Sequence, residues 1–148
     1  MNTATTLLLV GLLSAPAARA AGSTIAGTWR GKMYGLPAVV LRVKDEGGTL
    51  SGTITFYFLH RKTESDPWEV DTKHANPLPL LDAKFDGKAL SFQVSHKEAH
   101  PPRTLNDPPS SFQLQLTGEG QAALRNLTED AAAGRKDSKG FTMVRDPR

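Results

Sequence analysis

The chain has 148 residues, with 18 Lys and Arg against 15 Asp and Glu, and no cysteine. The absence of cysteine excludes disulfides, thiolate metal sites, a cysteine nucleophile and lipid attachment at an amino-terminal cysteine. The small basic excess is scattered among acidic residues, so no nucleic-acid partner is expected. The first feature along the chain is an apolar run, Leu7 to Leu13, followed by Ser14, Ala15, Pro16 and the A-x-A site Ala18-Arg19-Ala20. This is the layout of a secretory signal peptide, and its apolar core is too short to span a bilayer. Residues 1–20 are therefore expected to be removed on export. Residues 21–148 remain as one domain in the periplasm or outside the cell, with no membrane span.

The rest of the chain reads in period two. Leu50, Gly52, Ile54, Phe56 and Phe58 alternate with Ser51, Thr53, Thr55 and Tyr57. Leu90, Phe92 and Val94 alternate with Ser91, Gln93 and Ser95, and Phe112, Leu114 and Leu116 with Gln113, Gln115 and Thr117. Each pattern is that of a strand with one face in a core and one in water. Eight strands are predicted, near 24–33, 37–44, 49–60, 79–85, 88–97, 110–117, 121–128 and 139–146. The seventh alternates least cleanly. Helical spacing is absent over any useful length, and Ala131 to Ala133 is too short to nucleate a helix alone. All six phenylalanines (56, 58, 85, 92, 112 and 141) fall on the expected inner face.

The connections alternate in length. Asp45-Glu46-Gly47-Gly48, Asp86-Gly87 and Gly118-Glu119-Gly120 are tight hairpin turns, in which Asp and Gly supply positive φ. Residues 61–78, 98–109 and 129–138 are long and rich in Pro, Asp and Lys, and Tyr34-Gly35-Leu36 is the short exception at their end. In an up-and-down meander alternate connections lie at opposite poles. The fold class expected is thus all-β, an antiparallel up-and-down barrel of about eight strands, with a floor of tight turns and a mouth of long loops.

Gly27-Thr28-Trp29 opens the first strand, and Arg145 shares inner-face parity with Phe141 and Met143 on the last. This pairing resembles the calycin superfamily of lipocalins, fatty-acid-binding proteins and avidins. The resemblance implies that Trp29 and Arg145 meet at the barrel floor in a cation–π contact. The run from Ile25 to Gly31 and from Gly47 to Thr53 also resembles small β domains beside secreted bacterial hydrolases, and stand-alone exported proteins of similar build. No catalytic residue carries over from either likeness.

Candidate chemistry gathers at the mouth. His60 and His96 share inner parity at the ends of two strands that run the same way, with backbones about 10 Å apart. Two imidazoles at that distance reach one metal ion, but the third ligand would come only from loops, through His74, Glu98 or His100. No metal site and no cofactor is expected; rim histidines with ordinary hydrogen bonds are the plainer reading. His96-Lys97-Glu98-Ala99-His100 is not a zinc-protease helix, because the Glu is misplaced and Pro101 and Pro102 follow. No serine elbow or inward carboxylate pair is present, so no catalytic residue is assigned.

Trp68, in the longest loop, is placed to cap a ligand, and Tyr34, Arg103 and Phe58 are further candidates at the mouth and in the interior. The expected function is the binding of a small, largely apolar ligand at the barrel mouth. The alternative is a non-catalytic module that docks an envelope or hydrolase protein partner.

Overall fold

A computed structural model describes residues 24–97 and 107–147. Eleven strands and one short helix follow in order: β1 (Gly27–Met33), β2 (Leu36–Glu46), β3 (Thr49–Phe56), β4 (Phe58–His60), β5 (Glu69–Asp71), β6 (Leu78–Pro79), β7 (Leu81–Phe85), β8 (Ala89–Val94), β9 (Ser110–Gly118), β10 (Gln121–Asn126), α1 (Leu127–Ala132) and β11 (Phe141–Arg145). Nine strands form one antiparallel sheet in the order β6-β3-β2-β1-β11-β10-β9-β8-β7, and β4 and β5 pair separately. No helix among the described residues is long and apolar enough to cross a membrane.

The sheet is a nearly closed barrel, because its two edges belong to one extended segment. Leu78 and Pro79 pair with Ile54 and Thr53 of β3, and Leu80 N–H donates to the Gly52 carbonyl at 3.0 Å. From Leu81 the chain turns to β8, with a register shift before Lys84. Asp82, at φ 51°, sits within this shift. A bulge of this kind bends a strand and raises its twist, as a change of partner demands. Gly52 is the corner on the opposite side. Its φ is 154°, and a Cβ there would lie 1.9 Å from the backbone oxygen of Arg42.

The inner face carries one contiguous core that includes Ile25, Trp29, Leu41, Ile54, Leu90, Phe92, Phe112, Leu114 and Met143. Ala122 and Leu124 are buried and Ala123 is not, so the seventh predicted strand does alternate. Five of the six phenylalanines pack within or against this core. Phe58 does not. Strand β3 ends at Phe56, and although Tyr57 N–H still donates to the Ala38 carbonyl, residues 58–60 leave the barrel to pair with 69–71. The parity breaks there, and Phe58 and His60 both become exposed.

The two poles are built differently. Gly47-Gly48, Asp86-Gly87-Lys88 and Glu119-Gly120 close one end, and the connections 57–77 and 127–140 lie at the other, with the β8 end at Val94 and the β9 start at Ser110. At the floor, Trp29 is fully buried, its indole Nε1–H donates to the Ile25 carbonyl at 2.9 Å, and the Arg145 guanidinium carbon lies 5.6 Å from its ring centroid. Arg145 also donates to the Thr24 carbonyl at 2.6 Å. The cation–π contact contributes about 1–2 kcal/mol where water is excluded, and the hydrogen bond spares the indole an unsatisfied donor.

A helix that local spacing did not indicate follows β10. Asn126 caps α1 by accepting from Glu129 N–H at 3.1 Å. Asp130, nearly buried, accepts from Arg125 Nε at 3.1 Å and faces Arg135 Nε at 3.4 Å. The cap and two ion pairs to the buried Asp130 substitute for length, since six residues of helix would not persist alone. Thr128 Oγ1 accepts from Ser111 N–H at 2.8 Å, so both polar residues of the Asn126-Leu127-Thr128 triplet have structural work.

Two predictions follow from this architecture. Gly52→Ala forces a Cβ into backbone that cannot yield, and is expected to destabilise the fold by at least about 2 kcal/mol in urea unfolding; an unchanged midpoint would disprove its role as the barrel corner. In the β7–β8 turn, the Asp86 carboxylate accepts from Ala89 N–H and Lys88 N–H, both at 2.8 Å, and these bonds hold its pKa below the usual carboxylate value. A depressed folded pKa contributes stability above the unfolded pKa, lost as pH falls through the folded one. Asp86→Asn keeps an acceptor but not the charge. Its melting temperature should therefore fall less than that of the parent protein as pH drops from ~5 to ~2.

Candidate functional site

The β1–β2 connection is two residues long, with Met33 paired to Leu36 and positive φ at both positions, 53° at Tyr34 and 78° at Gly35. This is the type I′ geometry that suits a twisted hairpin, and Asn or Gly normally fills its first position. A tyrosine there is strained by its Cβ, at a cost of about 1–2 kcal/mol. Its ring is held by a contact from elsewhere. Tyr34 stacks on Trp68, with centroids 4.6 Å apart and planes 3° from parallel.

Trp68 immediately precedes β5, which lies against β2. The β4–β5 hairpin thus raises the barrel wall beyond the end of the β1–β2 turn. Beneath this extension lies a cleft of about 390 Å³, lined by Met33, Tyr34, Ala38, Val39, Phe56, Tyr57, Phe58, Leu59, Trp68 and Phe141. A bulge in the β1–β2 pairing, between Gly31 and Lys32, brings Ala38 and Val39 to it together. Gly31 leaves room for Phe141, since a Cβ at position 31 would meet that ring. Met33, Tyr34 and Phe58 are exposed, Tyr34 by 64%. Adjacent exposed large apolar side chains are uncommon on a soluble surface and mark binding sites more often than isolated ones do.

Three of the residues singled out in the sequence, Tyr34, Phe58 and Trp68, meet at this cleft. The two histidines do not join them. His60 ends β4, 54% exposed, with Nε2 3.6 Å from Glu69 Oε2. It is not inward, because the chain leaves the barrel after Tyr57. His96 is half-buried against the core, its ring 6.2 Å from Phe56 and 6.4 Å from Phe112. Phe112 in turn stacks on Phe92 at 5.7 Å, so aromatic rings gather toward the mouth end of the interior. Arg103 lies outside the described residues, as do Glu98 and His100. Trp29 and Arg145 sit together at the opposite pole, away from the cleft.

His74 is tied into its own turn. Asp71 Oδ2 accepts a 2.6 Å hydrogen bond from His74 Nδ1, and its other oxygen accepts from Lys73 N–H. The His74 bond first, then the backbone donors, hold the Asp71 carboxyl below its usual range. Among the described residues no three His, Asp or Glu side chains are grouped as a metal ion requires. One neighbour of the cleft was missed in the sequence: Arg61, which does not line it but whose guanidinium carbon lies 4.9 Å from the centroid of the lining Trp68. Nothing local marks it, since Arg61 and Trp68 are brought together only by the hairpin.

Comparison with protein-family models, with curated proteins and with solved structures finds no match for this chain. The geometry of the cleft is therefore what speaks for function.

Tyr34→Asn tests whether the tyrosine is there for the turn or for the stack. Asn relieves the backbone strain, while the lost ring pair removes about 0.5–1.5 kcal/mol. The two effects oppose, so stability should change by less than about 1 kcal/mol. Acrylamide quenching of tryptophan emission should rise as Trp68 loses its cover, with Trp29 remaining shielded. Unaltered quenching would separate Trp68 from Tyr34 in solution.

Proposed function

We propose that this chain is an exported, calycin-like barrel that binds a small, largely apolar molecule at the rim of its mouth. The observation that carries the reading is the apolar cleft between the β1–β2 turn and the β4–β5 hairpin, bordered by exposed Met33, Tyr34 and Phe58. Its volume is that of a modest small-molecule site, and its lining is of the apolar and aromatic kind such sites favour. Backbone strain at Tyr34 adds support, because strained residues persist where a contact over-determines them, as at ligand clamps. The Trp29–Arg145 contact at the floor agrees with the calycin likeness, and the Leu7–Ala20 segment with export. An interior occupied by a contiguous aromatic and aliphatic core favours a ligand at the rim over one deep in the barrel.

A second reading uses the same exposed side chains to dock a protein partner. The two differ in what a small molecule does. Titration with phenylnaphthylamine, an uncharged probe whose emission rises in apolar surroundings, is expected to saturate at one equivalent. Met33→Glu places a charge on the cleft wall at an exposed position that the fold does not need, and should weaken the probe by about tenfold, equivalent to about 1.4 kcal/mol. No emission rise with the parent protein, or equal affinity in the variant, would refute the cleft as the binding site.

A further inference from the structure

We infer that the ligand of this cleft carries an anionic group close beside its apolar body, and that Arg61 recognises the anion; this rests on reading the cleft as a binding site. Arg61 follows β4 directly and is restrained twice. Its guanidinium lies over the Trp68 ring, and its Nη1–H donates to the Glu64 carbonyl at 2.8 Å. An arginine has five N–H donors in a rigid plane, and a single carbonyl leaves most of them for an outside acceptor.

Its charge is not answered locally. Arg30 pairs with Asp146, and Arg125 and Arg135 share Asp130. Arg61 makes no such ion pair among the described residues, although acidic side chains flank it in sequence. Glu64 meets Arg61 through its carbonyl and not in an ion pair, and the others have partners elsewhere: Asp66 Oδ2 accepts from the Thr63 hydroxyl, Glu69 faces His60, and Asp71 accepts from His74. A guanidinium that is pre-oriented and lacks a protein carboxylate is suited to bidentate capture of a carboxylate, sulfonate or phosphate.

The position of Arg61 also constrains the shape of the molecule. Trp68 is the common wall, since one ring lines the cleft and carries the guanidinium. An anion at Arg61 therefore sits within about an indole's width of the apolar body, not at the end of a long chain. Together these features describe a compact apolar acid.

Two probes that share a ring system separate the charge from the apolar body. Phenylnaphthylamine is neutral, and anilinonaphthalenesulfonate carries a sulfonate on the same scaffold. Arg61→Gln is expected to weaken the sulfonate probe about fivefold, the scale of a single exposed ion pair, and to change the neutral probe by less than about twofold. The sulfonate's advantage in the parent protein over the variant should shrink as salt rises. If the variant binds both probes as the parent does, Arg61 does not recognise an anion, while the cleft reading survives. If it loses both equally, Arg61 acts only by holding Trp68, and the inference fails. If neither probe binds the parent protein, the cleft reading itself fails.

Discussion

Closure of the barrel rests on a single backbone constraint, the approach of the Leu78–Phe85 segment to β3 at Gly52. A twisted sheet with free edges would leave a row of unpaired N–H and C=O groups on each side. Here one segment serves both edges, bonding to β3 through Leu78–Leu80 and to β8 from Leu81 onward. The geometry requires a residue without Cβ where β3 crowds the Arg42–Val43 backbone of β2, and a left-handed residue, Asp82, where the partner changes. Once the sheet is closed, the inward side chains have one common core to fill, and Trp29 and its neighbours fill it.

The contents of that core decide where chemistry is available. The floor is sealed by Trp29, Arg145 and the Thr24–Ile25 segment. Toward the mouth, Phe56, Phe92 and Phe112 gather in ring contacts with His96 against them. Exposed apolar surface is left at the rim, at Met33, Tyr34 and Phe58, where the two-residue β1–β2 turn meets the β4–β5 hairpin. The stack of Tyr34 on Trp68 joins these two pieces. A residue under backbone strain holds one of its two partners, which ties the local geometry of a turn to the shape of the cleft.

Much of this was legible along the chain, and the reason is physical. Period-two alternation reports which residues meet oil and which meet water, one strand at a time, so the strands, the inward phenylalanines other than Phe58, and the two unlike poles could be read without coordinates. Glycine and aspartate at the tight turns report backbone conformations that few other residues adopt. The limits are equally specific. Phe58 and His60 follow the alternation of β3 perfectly, yet the chain leaves the barrel at Tyr57, and nothing in the pattern marks that departure. The helix α1 owes its existence to Asn126, Asp130 and two arginines that flank it, not to helical spacing.

The amino-acid sequence by itself determined the class of fold, the polarity of the barrel and three of the residues that border the cleft, because each of these follows from local patterns of apolarity and turn chemistry. Only the tertiary structure decided that Tyr34, Trp68 and Arg61 form one unit, and that the two histidines do not. Those relations depend on where a long connection settles against the barrel. That placement is set by contacts between residues far apart in the chain, which no local periodicity records.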